Sequence, residues 1–347
     1  MSIGNERSRT KLPPRHACAK AVPPRTIAEP TDDAAPLNAP TKAMLPSMLA
    51  DVVGSGLAAF ESIILPTPPQ ITGVRQMDTL RMMGLRQPEG QQRRAYRYLQ
   101  PSGAGKSTCA RLLAAHVAGQ PDRDPEMKPV LHVTLSTTGT PKSLASSILG
   151  ALGDNYSTRG EAELLLRRVR QGLKEFGVEL LIIDELNHFR QKHLATDAAN
   201  TIKNILTLGW VPIVLMGTTD AQSLFTNNRE LKMRSAPQVV LAPYDHRVAA
   251  DLEIWTEFLR RLDARMVQDG ILSTRSGLGE PTLAKDLCEA SNGLIGELHN
   301  IILAALEPVL MAGEKHISYE RLSDAVDAWC LQDGTIEHNP LKIRAGR

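Results

Sequence analysis

Short apolar runs of strand length alternate with segments of helical periodicity through the middle of this chain. Five runs are rich in Val, Ile, Leu and Tyr, and they lie at residues 94–99, 130–135, 178–183, 211–216 and 238–241. Between these runs, apolar residues recur at the spacing typical of amphipathic helices. Strands that alternate with helices predict a parallel sheet with crossover helices, so we expect an α/β fold in this region.

The pattern changes on both sides of this region. Residues 48–60 and 71–83 predict two short helices ahead of the sheet. After Pro243 the strand runs cease, and helical periodicity recurs at 252–267, 282–290, 295–312 and 319–331. We therefore expect a helical lead-in at 47–90, an α/β domain at 91–243, a helical lid domain at 244–335 and a flexible C-terminus at 336–347.

The first 46 residues have a different composition from the rest. They contain 8 of the 23 prolines and no Phe, Tyr or Trp. Such a segment buries too little apolar surface to offset the entropy lost on ordering, which predicts a disordered, proline-rich tail at 1–46. A docking arm that orders on a partner is the alternative.

Charge and cysteine content narrow the classes of function. The 347 residues include 40 Lys or Arg and 38 Asp or Glu, for a formal net charge of +2. This balance excludes a histone-like polycation, so any contact with nucleic acid must come from a local patch. The four cysteines are scattered singly, which argues against a disulfide framework or a zinc knuckle. We find no signal-peptide segment and no run of about 18 apolar residues, and we expect a cytoplasmic protein with no membrane partner.

A candidate phosphate-binding loop lies between the first strand run and the next helix. Residues 100–108 are Gln-Pro-Ser-Gly-Ala-Gly-Lys-Ser-Thr. Glycines here let backbone N–H groups turn inward around phosphate oxygens, the lysine reaches the β and γ phosphates, and a hydroxyl binds Mg²⁺. The residues expected to bind the nucleotide are Ser102, Gly103, Ala104, Gly105, Lys106, Ser107 and Thr108, and Ser107 is also expected to bind the metal.

One position departs from the phosphate-loop pattern G-x-x-x-x-G-K-[ST]. Gln100 replaces the first glycine. Because this residue ends the strand, whereas the phosphate cradle is built nearer Lys106, we expect nucleotide binding to survive the change. A loop that binds nucleotide without hydrolysing it is the alternative.

Two adjacent carboxylates end the third strand run. Asp184 and Glu185 follow the sequence Leu-Leu-Ile-Ile, which places Asp184 near the Mg²⁺ and leaves Glu185 to polarise a water. One predicted strand separates this run from the phosphate loop in the sequence. The intervening strand and the adjacent glutamate indicate the additional-strand class of P-loop ATPases rather than kinases or GTPases.

Further polar residues follow the fourth strand run. Thr218 lies at its tip and is expected to hold the attacking water, with a plain turn as the alternative. Arg229 and Arg234 precede the last strand run. In a ring or filament, an arginine there can enter the site of a neighbouring subunit and neutralise phosphoryl charge. A solvated basic face is the competing interpretation.

Basic residues after the second and third strand runs are candidate DNA contacts, because ring-forming ATPases generally present such loops to their channel. These residues are Lys142, Arg190, Lys192 and Lys203. The most basic folded stretch, residues 75–97, is interpreted either as DNA contacts or as a solvated or subunit-facing surface.

Several of these segments resemble AAA+ ATPases. The matching segments are 101–107, 180–189, 211–218 and 230–234. More narrowly, the chain resembles the TniB/TnsC family of transposition regulators. Thr140-Pro141 with the apolar residues up to Gly153, and the segment 291–298, strengthen this narrower match. The resemblance covers roughly residues 66–329.

The resemblance implies an ATPase that binds ATP and Mg²⁺ and assembles on duplex DNA, largely independently of sequence. It implies a homo-oligomeric ring or helical filament of about six subunits per turn. Its further partners would be a transposase, which it recruits or activates, and a target-selection protein. The alternatives are a replication helicase loader or initiator and a nucleotide-gated scaffold with little hydrolysis.

The resemblance also assigns residue roles. Arg234 matches the family's arginine that acts across a subunit boundary, and Arg229 is a nearby alternative. Many AAA+ proteins carry a nucleotide-contacting arginine just after the Gly-x-x-Gly of the lid, where this chain has Glu297. We therefore expect either slow hydrolysis or a lid that senses nucleotide differently.

Overall fold

Five parallel strands form one sheet in the computed structural model, which describes residues 46–136, 140–188 and 192–345. The strands are β1 (Ala95–Leu99), β2 (Val130–Thr134), β3 (Leu180–Asp184), β4 (Ile213–Gly217) and β5 (Ser235–Gln238). Their order across the sheet is β2-β3-β4-β1-β5, and every pairing is parallel. Strand β4 therefore lies between β1 and β3, which confirms the predicted α/β class with an additional strand.

Helices precede the sheet, connect its strands and follow it. The helices up to β5 are α1 (Pro46–Glu61), α2 (Pro68–Arg86), α3 (Lys106–Ala118), α4 (Pro141–Leu152), α5 (Ala162–Glu175), α6 (Lys192–Thr207), α7 (Gln222–Asn227) and α8 (Arg229–Arg234). The helices after β5 are α9 (Ala249–Gln268), α10 (Pro281–Ala290), α11 (Ile295–Ala312), α12 (Tyr319–Val326) and α13 (Pro340–Ala345).

The predicted position of the fifth strand, 238–241, was wrong. Strand β5 begins directly after α8 and ends at Gln238. Pro237 has no N–H group and is tolerated because β5 is at the edge of the sheet. Val239 and Leu241 lie beyond the end of the strand and are buried beside α2 and α3, so their apolar character reflects packing in this core.

Both faces of the sheet are covered. Apolar residues of α4 to α8 pack on one face, and those of α2 and α3 pack on the other. Strands buried on both sides are expected to be continuously apolar, as β3 and β4 are. The two sheet faces and their helices thus hold the ends of the strands in fixed positions.

The helices after the sheet enclose a third apolar core, which also includes Phe60 of α1. The predicted lead-in therefore divides, because α1 packs with these helices whereas Met77 and Leu80 of α2 pack under the sheet. The stretch predicted as one helix at 319–331 consists of α12 followed by a π-helical turn, Asp327–Leu331.

One further expectation about this part was wrong. The predicted flexible C-terminus contains α13, which is held because Leu341 is buried in the third core. Helix α11 is, by length and mean composition, apolar enough to cross a membrane, although its 18 residues include two glutamates and so are not an unbroken apolar run. Its apolar side instead packs in the third core, where Ile301, Ile302 and Leu306 are fully buried.

Candidate functional site

A cavity of about 400 Å³ lies at the carboxyl ends of β1 and β3. Its walls come from the loop after β1, the acidic end of β3, the segment after α1 and the first turn of α11. The residues around it include Phe60, Ile63, Ile64, Leu65, Gln70, Ser102, Gly103, Gly105, Lys106, Ser107, Thr108, Arg111, Asp184, Glu185, Phe258, Gly296 and His299. One end is lined by polar groups of the candidate phosphate loop, and the other is largely apolar.

Glycines shape the loop after β1. Gly103 and Gly105 have φ values of +79° and +87°, in the left-handed region that favours glycine. A Cβ atom on Gly105 would lie 2.0 Å from the side-chain nitrogen of Gln70. Gln70 is itself held by the backbone N–H of Thr67, which donates to its Oε1 at 2.9 Å. The loop therefore fits closely under α2 and turns its backbone toward the start of α3.

Lys106 is buried at the first position of α3. Its Nζ donates to the carbonyl oxygens of Gln100 and Pro101, both at 2.9 Å. Burial lowers the pKa of this ammonium, and the nearby carboxylates of Asp184 and Glu185 oppose the shift. The lysine thus places a desolvated positive charge inside the loop, where an anion would interact with it strongly.

Gln100, the departure from the loop pattern, directs its side chain away from the cavity. Its Nε2 donates to the carbonyl oxygen of Val239 at 3.1 Å, just beyond β5. Its backbone N–H donates to Gly217 at the end of β4. The glutamine therefore forms hydrogen bonds with the ends of β4 and β5, and it does not line the cavity.

Asp184 is the centre of a hydrogen-bonded group opposite the loop. Its Oδ2 accepts a bond from Ser107 Oγ at 2.9 Å and lies 3.2 Å from His132 Nε2, and its Oδ1 accepts from the backbone N–H of Glu185 at 2.8 Å. Burial raises the pKa of this carboxyl, but the three hydrogen bonds outweigh burial and lower the pKa overall. Asp184 is therefore ionised at neutral pH. The Ser107 hydroxyl beside it supplies a second oxygen atom of the kind that binds metal ions.

Glu185 has an unusual backbone conformation for its residue type. Its φ is +62°, in the left-handed region, where a side chain costs free energy. Its Oε2 accepts a hydrogen bond from Asn187 Nδ2 at 2.9 Å. The turn brings the carboxylate to the cavity rather than into the sheet.

The predicted residues are only partly brought together. Ser102, Gly103, Gly105, Lys106, Ser107, Thr108, Asp184 and Glu185 share the cavity, whereas Ala104, Thr218, Arg229 and Arg234 do not line it. Ala104 packs toward the core beside α2 and α3. The Thr218 hydroxyl is buried with no hydrogen-bond partner among the described residues. Arg229 and Arg234 begin and end α8.

The candidate DNA contacts differ in their surroundings. Lys142 is exposed in the first turn of α4. Lys203 is mostly covered and forms an ion pair with Glu230, with 3.0 Å between Nζ and Oε2. Lys192 begins α6, but its side chain lies outside the described part of the chain, as does Arg190.

Sequence reasoning missed the apolar end of the cavity. The Phe60 and His299 rings stack with centroids 4.7 Å apart and an interplanar angle of 17°. His299 Nε2 also lies 3.4 Å from a carboxylate oxygen of Glu61. These residues belong to α1 and α11, far apart in the chain, and neither carries a motif that would have identified it.

The lid arginine that many AAA+ proteins carry is replaced here by a different contact. Glu297 Oε2 accepts a hydrogen bond from Trp329 Nε1 at 2.8 Å, and Glu297 does not line the cavity. The neighbouring Gly296 instead donates its backbone N–H to the carbonyl oxygen of Gly103 at 2.9 Å. The lid therefore contacts the phosphate loop through the backbone.

Several solved structures have a similar fold. Cdc6p from Pyrobaculum aerophilum matches with a TM-score of 0.56 and 15% identity, over 78% of this chain and 70% of that one. The ADP form of the Aeropyrum pernix ORC2 protein matches with a TM-score of 0.57 and 16% identity, over 80% and 74%. The Aeropyrum pernix ORC1 protein in complex with DNA matches with a TM-score of 0.54 and 15% identity, over 78% and 68%.

These similarities establish the fold, which is that of the AAA+ P-loop proteins, as the sequence predicted. No curated protein matches the sequence significantly. The model of the family described as bacterial TniB protein matches residues 74–244, a range that includes the sheet, the phosphate loop and the acidic end of β3. Over residues 74–244, just under half of its length, this chain is thus similar to the bacterial TniB protein family.

Proposed function

We propose that this protein is a Mg²⁺-dependent ATPase whose nucleotide state controls its assembly on duplex DNA. The observation that carries the proposal is the 2.9 Å hydrogen bond between Ser107 Oγ and Asp184 Oδ2, in the cavity that also holds Lys106 and Glu185. A buried ammonium, an ionised carboxylate with a hydroxyl, and a second carboxylate are the groups that phosphoryl transfer to water requires.

Each end of the cavity suits one part of the nucleotide. The loop backbone and Lys106 would bind the phosphates, because unpaired N–H groups at the start of α3 and a desolvated ammonium both attract anions. The opposite end, with Phe60, Ile64 and His299, would enclose the base. A molecule with a flat ring at one end and a polyphosphate at the other matches this distribution.

The donor set at the acidic end fits Mg²⁺. Ser107 and Asp184 supply hard oxygen ligands, which this cation prefers, and the ion usually retains several waters. When bound, Mg²⁺ neutralises part of the phosphate charge.

Glu185 is the proposed general base. Its carboxylate would take a proton from a water as the water oxygen attacks the γ-phosphorus. The bond from that phosphorus to the β–γ bridging oxygen breaks, and ADP and phosphate leave. Thr218 would help to place the water, since its buried hydroxyl has no partner among the described residues. Arg234, or alternatively Arg229, would come from a neighbouring subunit to neutralise the charge that develops on the phosphoryl oxygens.

The proposal of DNA binding and assembly rests on similarity to other proteins and on the basic residues of this chain. The Aeropyrum pernix ORC1 protein with a similar fold was solved in complex with DNA. Lys142 is exposed and is the first candidate for a phosphate contact, followed by Arg190, Lys192 and Lys203. Similarity to the TniB family over residues 74–244 favours a role in DNA transposition, in which the assembly recruits or activates a transposase with a target-selection protein.

Two other functions remain candidates, each for a specific reason. The fold similarity to Cdc6p and ORC proteins favours a replication initiator or helicase loader. The replacement of the lid arginine by Glu297, which pairs with Trp329, favours a nucleotide-gated scaffold with little hydrolysis.

The ATPase assignment is tested by nucleotide titration and phosphate release with the full chain and Lys106→Ala. We expect the variant to lose ATP binding, because the loop loses its buried positive charge. Lys174→Ala is the matched control, since Lys174 is an exposed lysine on α5. Equal ATP affinity in all three proteins would contradict the assignment. Electron microscopy with duplex DNA and a slowly hydrolysed ATP analogue then tests assembly.

A further inference from the structure

Three arginines lie around the edge strand β5, and each donates a hydrogen bond to a backbone carbonyl group within residues 230–236. Arg94 Nη1 donates to Met233 O at 3.5 Å, Arg97 Nη2 to Ala236 O at 3.4 Å, and Arg234 Nη1 to Glu230 O at 3.1 Å. The carboxylate of Glu230 is paired with Lys203 and also interacts electrostatically with Arg234. Among the described residues, no carboxylate forms an ion pair with Arg94 or Arg97.

Arg97 is the unusual member of this group, because it is half-buried in the middle of β1. Its guanidinium lies over the Phe225 ring, 5.1 Å from the centroid. Its Nε is buried and has no hydrogen-bond partner in the described part of the chain. A guanidinium has five N–H donors, and among the described residues a single nitrogen of this one, Nη2, forms a hydrogen bond. Burial lowers the pKa of Arg97 by removing water from its charge.

A half-buried cation that forms no ion pair with a carboxylate of the described residues is costly, so its retention calls for an explanation. Phe225 and the Ala236 carbonyl fix the guanidinium in position, but they do not neutralise it. The Nε of Arg234 is likewise buried and without a partner among the described residues. Two guanidiniums with unused donors on the same edge of the sheet form a receptor for an anion, and their planar fork matches phosphate oxygens.

Large apolar residues flank the same edge. Met233 is 67% exposed just before β5, and Val240 is 63% exposed just after it. Beside an edge strand, such residues are typical of a surface that another protein covers. An occupant of this edge would contact these apolar side chains as well as the guanidiniums. The surroundings therefore favour a protein that carries a bound phosphate compound.

We propose that Arg97 acts together with Arg234 on the phosphate groups of a nucleotide held by an adjacent copy of this chain, and that the copy covers Met233 and Val240. The inference rests on the proposed ATPase function and adds a second arginine to its intersubunit site. Arg97 would accept no proton. It would neutralise negative charge on the phosphoryl oxygens while they are transferred to water.

The test mixes two defective proteins. Arg97→Gln keeps its nucleotide site but lacks the arginine, and Lys106→Ala lacks the nucleotide site but keeps Arg97. We expect Arg97→Gln alone to hydrolyse ATP at least about tenfold more slowly at saturating ATP. Its ATP affinity, measured at dilutions that favour the monomer, should stay within about twofold of the parent. Addition of Lys106→Ala should restore hydrolysis, because mixed interfaces combine an intact site with an intact Arg97.

Controls separate this role from a structural one. Arg167→Gln removes an exposed arginine of α5 that pairs only with Glu163, and it should hydrolyse ATP at the parental rate. If Arg97→Gln folds poorly, Arg97→Met retains the contact with Phe225 and is used in the same mixture. Arg97→Lys should recover part of the hydrolysis rate, since lysine restores the positive charge without the planar array of N–H donors of a guanidinium.

Several outcomes would overturn the inference. Full activity of Arg97→Gln, or a loss that mixing does not restore, would show that Arg97 does not act on a neighbour's nucleotide. A loss of DNA affinity with unchanged hydrolysis would assign the receptor to DNA instead.

The variant Arg234→Ala in the same assay keeps the inference distinct from the proposed function. If Arg234→Ala is restored by mixing and Arg97→Gln is not, the inference fails while the proposed function stands. If the parent shows no hydrolysis that depends on Lys106, the proposed function itself fails.

Discussion

The backbone N–H of Gly296 donates a hydrogen bond to the carbonyl oxygen of Gly103, with 2.9 Å between nitrogen and oxygen. This bond joins the phosphate loop to the first turn of α11 without any side chain between them. Phosphates that enter the loop would therefore act directly on the position of α11. Under the proposed function, this contact would let α11 respond to a bound nucleotide, although Glu297 lies where many AAA+ proteins carry an arginine.

The first prediction concerns this contact. A Cβ atom on Gly296 would lie 2.5 Å from the Cα of Gly103, so Gly296→Ala must push the lid away from the loop. We expect the Kd for ATP to rise about tenfold, as a packing strain of about 1–3 kcal/mol implies. Isothermal titration measures the change. Gly150→Ala is the control, because nothing lies within 4 Å of its added Cβ. Parental affinity in Gly296→Ala would mean that the contact does not matter for binding.

The second prediction separates chemistry from binding. Glu185→Gln keeps the shape of the side chain but removes the base, so ATP should bind while hydrolysis falls about 100-fold or more. Phosphate release and nucleotide titration on the same preparation measure both quantities. Asn187→Ala, which removes the hydrogen bond to Glu185 Oε2, should have a smaller effect on turnover. If Glu185→Gln turns over at the parental rate, another group is the base.

The third prediction concerns thiol chemistry. Burial raises the pKa of Cys109 and Cys288 to about 12 and that of Cys330 to about 11. The thiolate is the reactive form, so these three thiols should be modified slowly by iodoacetamide at pH 8 in the native protein and quickly after unfolding. Mass spectrometry of labelled peptides measures this at each position. Rapid native labelling of Cys109 would show that the α3 side of the sheet opens readily.

The same pKa values set the sign of a pH effect on stability. From about pH 9, the ordinary thiol pKa, the unfolded chain loses protons that the folded chain retains. This stabilising contribution is complete below pH 9 and is lost as the pH rises toward 12. Cys109→Ala should therefore reduce the dependence of unfolding free energy on pH in this range.

The fourth prediction concerns DNA. A net charge of +2 gives a single subunit few phosphate contacts, so tight binding should require ATP-dependent assembly. If about six subunits contribute about two contacts each, the slope of log affinity against log salt should be near −10. Fluorescence anisotropy with several unrelated duplexes, with and without ATP, measures this slope. Tight binding without nucleotide, or a preference of about 1000-fold for one sequence, would contradict assembly as the source of affinity.

Lys142 provides a residue-level form of the DNA prediction. Lys142→Ala should weaken binding to all duplexes alike and make the salt slope shallower, because a phosphate contact carries no sequence information. Lys174→Ala, at an exposed site on α5, is the control.

Local sequence determined much of the sheet and the polar half of the cavity. Strands such as β3 are marked by continuous apolar runs, and the residues at their ends are neighbours in the sequence. Gly103 to Thr108 form one loop, and Asp184 and Glu185 form one turn, so the chemistry of each could be predicted from a few adjacent residues. Because parallel strands end at the same edge of a sheet, the meeting of these two segments could be predicted as well.

Contacts between distant segments were decided by the tertiary structure. The position of β5 depends on where α8 ends and on the pairing of Gln238 with Arg97, which the apolar pattern alone does not reveal. The stack of Phe60 on His299 and the approach of Gly296 to Gly103 join residues about 200 positions apart, on elements that meet only after the helices have packed.

The same reason explains Arg97. In the sequence it is one of several arginines in a basic stretch, and charge patterning does not distinguish a buried guanidinium from a solvated one. Only packing against Phe225 and the edge strand removes its water without supplying a carboxylate. Short-range patterns thus determined the elements and the residues of the candidate phosphate loop. Burial and long-range contacts depend on the whole packed chain. They decided the apolar end of the cavity, the contact between α11 and the loop, and the surface where an adjacent copy would bind.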